Sequence, residues 1–155
     1  MLNFLKLASV SLLAIAGCAL VDSADASFKG NLTLEVNGIQ NQRGQVCVRL
    51  FSGSRGFPDG ATGKVTRQCS KITDNSMTFT FKNLTSGSYA IAAFHDQNND
   101  GKLNRNSVGM PTEGYAFSNN PAITRSGPPK YGETVFLLAG PNTNLRIRMR
   151  YSAGG

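Results

Sequence analysis

The chain has one histidine, His95, and no Cys-x-x-Cys pair among its three cysteines. That scarcity removes the usual zinc and dithiol redox chemistries. Lysines and arginines are dispersed and form no recognised nucleic-acid motif, so no nucleic-acid partner is expected. No serine or cysteine stands in a nucleophile motif with a partnered base. No linker or internal repeat divides the sequence, and the longest apolar run, Leu7 to Val21, is too short to span a bilayer comfortably. Acidic residues are also few, nine against 16 lysines and arginines, for a formal net charge of +7. A cationic domain favours encounter with an anionic envelope polymer, a glycan or an acidic protein surface.

Lys6 followed by the apolar run, then Ala24-Asp25-Ala26, has the order of a cleavable export signal, with residues 1–26 removed before Ser27. Ile15-Ala16-Gly17-Cys18 offers the alternative of a lipid anchor on Cys18. Either route places a single domain, 27–155, in the periplasm or outside the cell, with no transmembrane helix in the mature form. Cys47 and Cys69 are then the remaining thiols, and an even pair in an exported domain reads as a disulfide. Antiparallel pairing of residues 46–51 with 65–70 sets Cys47 opposite Cys69 when Phe51 is opposite Val65. Closing that loop contributes about 3 kcal/mol in the chain-entropy model.

Period-two alternation dominates the rest. Leu32, Leu34 and Val36 share one face of a first strand, and Val46, Val48 and Leu50 share one face of a second. A third strand is expected over Lys64 to Ile72, and a fourth around Met77, Phe79 and Phe81. The fifth, Ser88 to His95, is apolar nearly throughout and therefore central. Thr134 to Ala139 and Thr143 to Tyr151 predict a terminal hairpin through Gly140-Pro141-Asn142. Seven short strands indicate an all-β sandwich with one long irregular loop, 96–133.

The densest chemistry opens that loop. Asp96, Asn98 and Asp100 place oxygens at every second position before Gly101, the spacing of a calcium loop. The Lys102 carbonyl and Asn104 would complete the shell, with Glu113 as a third carboxylate if the loop folds back. Position twelve is Ser107 rather than glutamate and no flanking helices are evident, so an EF-hand is excluded. The alternative is a string of Asx-turns in which these side chains hold their own backbone. His95 reads as a hydrogen-bonded strand-end residue or as a proton shuttle or metal ligand. Tyr115, Phe117, Asn119 and Asn120 suit either a recognition surface or the pinning of the loop to the sandwich. Arg146, Arg148 and Arg150 alternate with apolar residues and form a candidate anion-binding row or a solvated outer face.

Gly44-Gln45-Val46, Gly56-Phe57-Pro58, Gly87-Ser88-Tyr89-Ala90-Ile91, His95-Asp96, Asp100-Gly101-Lys102-Leu103, Gly114-Tyr115-Ala116-Phe117-Ser118-Asn119-Asn120 and Gly127-Pro128-Pro129 together resemble the exported bacterial family DUF2141. The resemblance runs from about Leu32 to Arg150. It implies a β-sandwich and a periplasmic or surface setting, and it carries no established activity. The segment Phe81 to Ile91 is also similar to transthyretin-like and collagen-adhesin B-type modules, which implies a seven-stranded immunoglobulin-like or prealbumin-like sandwich at the level of fold alone. The function expected is a non-enzymatic binding or structural module, calcium-stabilised at 96–104. The alternative is an envelope-associated hydrolase or carbohydrate-active domain using Asp96, Asp100 or Glu113.

Overall fold

Alternation along β1 (Lys29–Asn37) drives Leu32, Leu34 and Val36 into the interior, where the computed structural model leaves each of them fully buried. The structure describes residues 28–122, 124 and 127–151. The export signal 1–26, the Ser27 terminus and the lipid-anchor alternative at Cys18 lie outside the described residues.

β1 is the middle strand of a three-stranded sheet. It runs antiparallel to β4 (Met77–Thr85), with Leu34 opposite Phe79, and parallel to β8 (Asn142–Arg148), with Leu34 opposite Leu145. The second sheet orders β3 (Val65–Lys71), β2 (Gln45–Phe51), β5 (Gly87–Asp96) and β6 (Tyr115–Phe117), with β7 (Phe136–Leu138) also pairing β5. β5 is central, as its apolar composition requires, and all eight of its residues from Tyr89 to Asp96 are buried. One core fills the space between the sheets, with Leu34, Val48, Ile91, Phe79 and Ile147 among its members.

Cys47 and Cys69 form a disulfide with their Cα atoms 4.1 Å apart. The register is the one that alternation implies, Cys47 opposite Cys69 and Phe51 opposite Val65. The bond fastens the exposed edge strand β3 to buried β2.

Three expectations need correction. The described residues hold eight strands rather than seven, because 96–133 is not wholly irregular: it contains β6, and a short helix α1 (Tyr131–Thr134). A three-residue strand buried on both faces has no alternation to reveal it. The terminal hairpin is also absent, since β7 joins β5 in one sheet and β8 joins β1 in the other. Gly140-Pro141-Asn142 therefore carries the chain between sheets; pairing Leu138 and Ile147 directly would not have filled the interior from both sides, as they now do.

β8 is an edge strand, and its exposed backbone is partly satisfied by the amide of Asn120. That side chain accepts from Arg148 N at 2.8 Å and donates to the Arg146 carbonyl at 3.1 Å, in the manner of a ladder neighbour. Just beyond, Tyr115 and Arg150 exchange two backbone hydrogen bonds and join the two sheets at this end.

Candidate functional site

The last residue of β5 starts the site. Asp96 lies opposite Gln45 of β2 and is fully buried, so its carboxylate must find donors within the protein. Three are supplied: Asp100 N to Oδ1 at 3.0 Å, and Gly101 N at 2.9 Å and Gln45 Nε2 at 2.8 Å to Oδ2. Gly101 has φ +77°, a left-handed conformation that turns its N–H back onto Asp96. Gly44, φ +74°, packs so closely beneath the strand end that a Cβ there would collide with the Asp96 carbonyl oxygen.

Asn98 and Asp100 continue the winding. Asn98 Oδ1 accepts from Asp100 N at 3.2 Å, and Asp100 Oδ1 accepts from Lys102 N at 2.9 Å. Asp100 Oδ2 takes the amide groups of Asn98 and Asn104, each at 3.1 Å. The Lys102 backbone bond and then the Asn104 amide hold the Asp100 carboxyl below its ordinary range, although the side chain is at the surface. Asn104 Oδ1, by contrast, is buried and has no hydrogen-bond partner among the described residues.

The loop does fold back. Glu113, 5% exposed, accepts from Gln97 N at 2.9 Å through Oε1 and from Asn104 N at 2.8 Å through Oε2. It is thus a clamp across the two ends of the loop. Asp96, Asn98, Asp100 and Asn104 are linked by Asx-turn and side-chain bonds, and Lys102 enters this set through its N–H rather than its carbonyl. No group of three or more His, Cys, Asp or Glu side chains suited to a metal occurs among the described residues. Any cation here would rely on amide and carbonyl oxygens beside two carboxylates.

His95 belongs to the interior. Its Nε2 is 2.7 Å from the Arg43 carbonyl, which accepts only, so Nε2 carries the proton. Nδ1 then accepts from the Tyr151 hydroxyl at 2.7 Å, and that hydroxyl oxygen in turn accepts from Gln40 N at 3.0 Å. Both ring nitrogens are engaged, which is the strand-end reading rather than a shuttle facing solvent.

Tyr115 and Phe117 pin the loop to the sheet in a second buried cluster with Cys47, Phe51, Ala92 and Phe94. Asn119 and Asn120 make the turn that follows, at φ +64° and +47°. Ser118 accepts from Ile91 N and donates to the Thr134 carbonyl, so the returning segment is tied to β5 and α1 together. The arginine row remains on an outer face, but Arg146 is paired with Glu35 of β1 at 2.9 Å. At 70% exposure that pair contributes little to stability, although it neutralises one cation of the row.

Concave space lies elsewhere, on the outer face of the five-stranded sheet, between Arg49, Phe94, Leu103, Arg105, Tyr115 and Phe117. His95, Asp96 and Glu113 do not line it. Sequence reasoning passed over Gln45, Arg49 and the clamp role of Glu113. The signal for Arg49 was present: Cys47, Arg49 and Phe51 share the face opposite Val46, Val48 and Leu50, and apolar residues on both faces of one strand mean that both are covered.

The family of uncharacterized proteins conserved in bacteria, DUF2141, matches residues 34–146 of the chain. No curated protein matches it. No solved structure matches it either.

Proposed function

The chain belongs to DUF2141, and on that premise we propose that it is an exported, non-enzymatic binding module in which calcium orders the loop 96–104. The observation that carries the reading is the buried, unpartnered Oδ1 of Asn104 beside Asp100. An acceptor left without a donor costs about 1 to 3 kcal/mol, and a cation removes that cost where a further N–H is lacking. The neighbouring acceptors are incompletely used. A carboxylate has about four lone-pair positions, and Asp96 and Asp100 each receive three donors. Asn98 Oδ1 receives one. Oxygen ligands of this kind, with only two carboxylates, suit calcium at millimolar affinity.

The disulfide is compatible with export, as is the finding that no helix among the described residues is long and apolar enough to cross a membrane. Two-sheet packing supports the finer likeness to transthyretin-like and collagen-adhesin B-type modules as a proposal about fold. The hydrolase alternative through Asp96, Asp100 or Glu113 is less well supported, because Asp96 and Glu113 are buried and hydrogen-bonded by the protein, while exposed Asp100 already accepts three hydrogen bonds and does not line the cavity.

Calorimetric titration with calcium tests the reading. Saturable heat in the millimolar range is expected, with a gain in stability of about 0.4 kcal/mol when calcium equals its dissociation constant. Asp100→Asn should abolish that heat while leaving the far-ultraviolet strand signature intact. No heat and no stability gain at several millimolar would reduce the loop to a run of Asx-turns.

A further inference from the structure

We propose that the cavity on the outer face of the five-stranded sheet binds a small amphipathic carboxylate, an aryl or short acyl acid. β5 and β6 supply its floor through Phe94, Tyr115 and Phe117, and Leu103 from the returning loop supplies a wall. The cavity, which is partly open to solvent, has a volume of about 180 Å³. An apolar cavity of about 150 Å³ holds benzene, so one ring or a short chain matches the space.

The polar end is set by arginine. Arg49 projects from β2 with its guanidinium 4.6 Å from the centre of the Phe94 ring, where it is half-buried. Among the described residues its hydrogen bond is long, 3.4 Å from Nη2 to the Gly101 carbonyl, and it makes no ion pair. Desolvation, then the nearby Arg67, lower its pKa, while Asp59 acts the other way more weakly. Arg105, also at the cavity, donates to the Gly109 carbonyl at 3.0 Å. Arg67 likewise donates to the Gly60 carbonyl. Arg49, Arg67 and Arg105 thus each donate to a backbone oxygen rather than to a carboxylate, with exposed Asp59 the carboxylate that acts on Arg49 among the described residues. A guanidinium fork with spare donors, backed by apolar walls, is complementary to a planar carboxylate on an apolar body.

Leu103 and the Gly101 carbonyl belong to the loop of the proposed calcium function, so the test is run twice, with a chelator and with several millimolar calcium, and benzoate binding in either condition supports the assignment whether or not calcium itself binds. Sodium benzoate is titrated into the isotopically labelled mature protein and followed by amide and arginine side-chain chemical shifts. Saturable shifts at Arg49, Phe94, Leu103 and Tyr115 are expected, with a dissociation constant on the order of 1 mM for a ligand of about nine heavy atoms. Benzyl alcohol, which keeps the ring and lacks the charge, should bind about tenfold or more weakly. Arg49→Gln should weaken benzoate similarly, and Arg49→Lys should restore part of the loss, because the charge returns without the fork. Benzyl alcohol binding as tightly as benzoate, inorganic phosphate producing the same shifts at the same concentration, or benzoate shifting nothing in both conditions at 20-fold its expected dissociation constant (about 20 mM) would each overturn the assignment. If Arg49→Gln loses the native spectrum, the comparison of benzoate with benzyl alcohol on the unaltered protein decides the matter.

Discussion

Between the sheets, Leu34, Val48, Ile91 and Ile147 are fully buried, and the backbone around them is joined by strand ladders. On the outer side of the five-stranded sheet, residues 97–113 contain no strand, and beside a few backbone bonds such as Thr112 N to the Asn104 carbonyl their order comes from side-chain acceptors reaching backbone donors. Asp96 takes Asp100 N and Gly101 N, while Glu113 takes Gln97 N and Asn104 N. The two layers meet at Asp96, which ends β5 and begins the loop. The difference teaches that two buried carboxylates can substitute for a ladder, since each accepts several N–H groups at once. It also means that the layers should fail separately.

The largest effect should come from the interior. Leu34→Ala is expected to lower global stability by about 3 to 4 kcal/mol, because the fully buried side chain leaves a cavity between packed sheets. Urea unfolding would show it as a midpoint shift at unchanged slope. A loss under about 1 kcal/mol would mean that the interior collapses readily and is not the main source of stability.

Next is the staple between β2 and β3. Replacing both Cys47 and Cys69 with serine should cost about 3 kcal/mol, the loop-closure entropy of a 22-residue separation. Thermal unfolding measures it, and the loop 96–104 should keep its native chemical shifts up to the transition.

Glu113→Gln should sharpen the comparison instead of unfolding the molecule. Glutamine retains one acceptor and presents an NH2 group where the second backbone N–H needs an oxygen, at a local cost of about 2 kcal/mol. Hydrogen exchange at Gln97 and Asn104 should quicken while β1 and β2 amides hold their protection. Equal acceleration everywhere would show that the two layers open as one.

Acid gives the smallest effect. The Asp100 carboxyl has a depressed pKa in the folded state, so its contribution is present above the ordinary carboxylate range and is lost as pH falls through the lowered value. Chemical shifts of the Lys102 backbone amide and the Asn104 side-chain amide, which both bond Asp100, should therefore move in a step below about pH 3.9. A step above that value would reverse the sign and contradict the bonding described for Asp100.

Sequence disclosed the interior because alternation has only one physical reading when one face is wet and the other dry. Leu32, Leu34 and Val36, or Val46, Val48 and Leu50, declare their strand directly, and the Cys47–Cys69 register follows from two such strands. The loop chemistry was half legible: Asp96 to Gly101 is a local pattern, but Gln45 and Glu113 reach it from 51 and 16 residues away along bonds that leave no periodic trace. The partition of β7 and β8 between sheets was not legible, since Gly140-Pro141-Asn142 allows both a hairpin turn and a crossing. The Arg49 cavity needed the returning segment to be seen in place over β5 and β6.

Peptide-resolved hydrogen exchange of the native protein, with and without several millimolar calcium, tests most directly the claim that the loop is a separately ordered layer that a cation completes. The account predicts that calcium slows exchange in 96–113 and leaves β1, β2 and β5 up to His95 unchanged. Identical exchange profiles in the two conditions, or slowing spread evenly over both sheets, would contradict it.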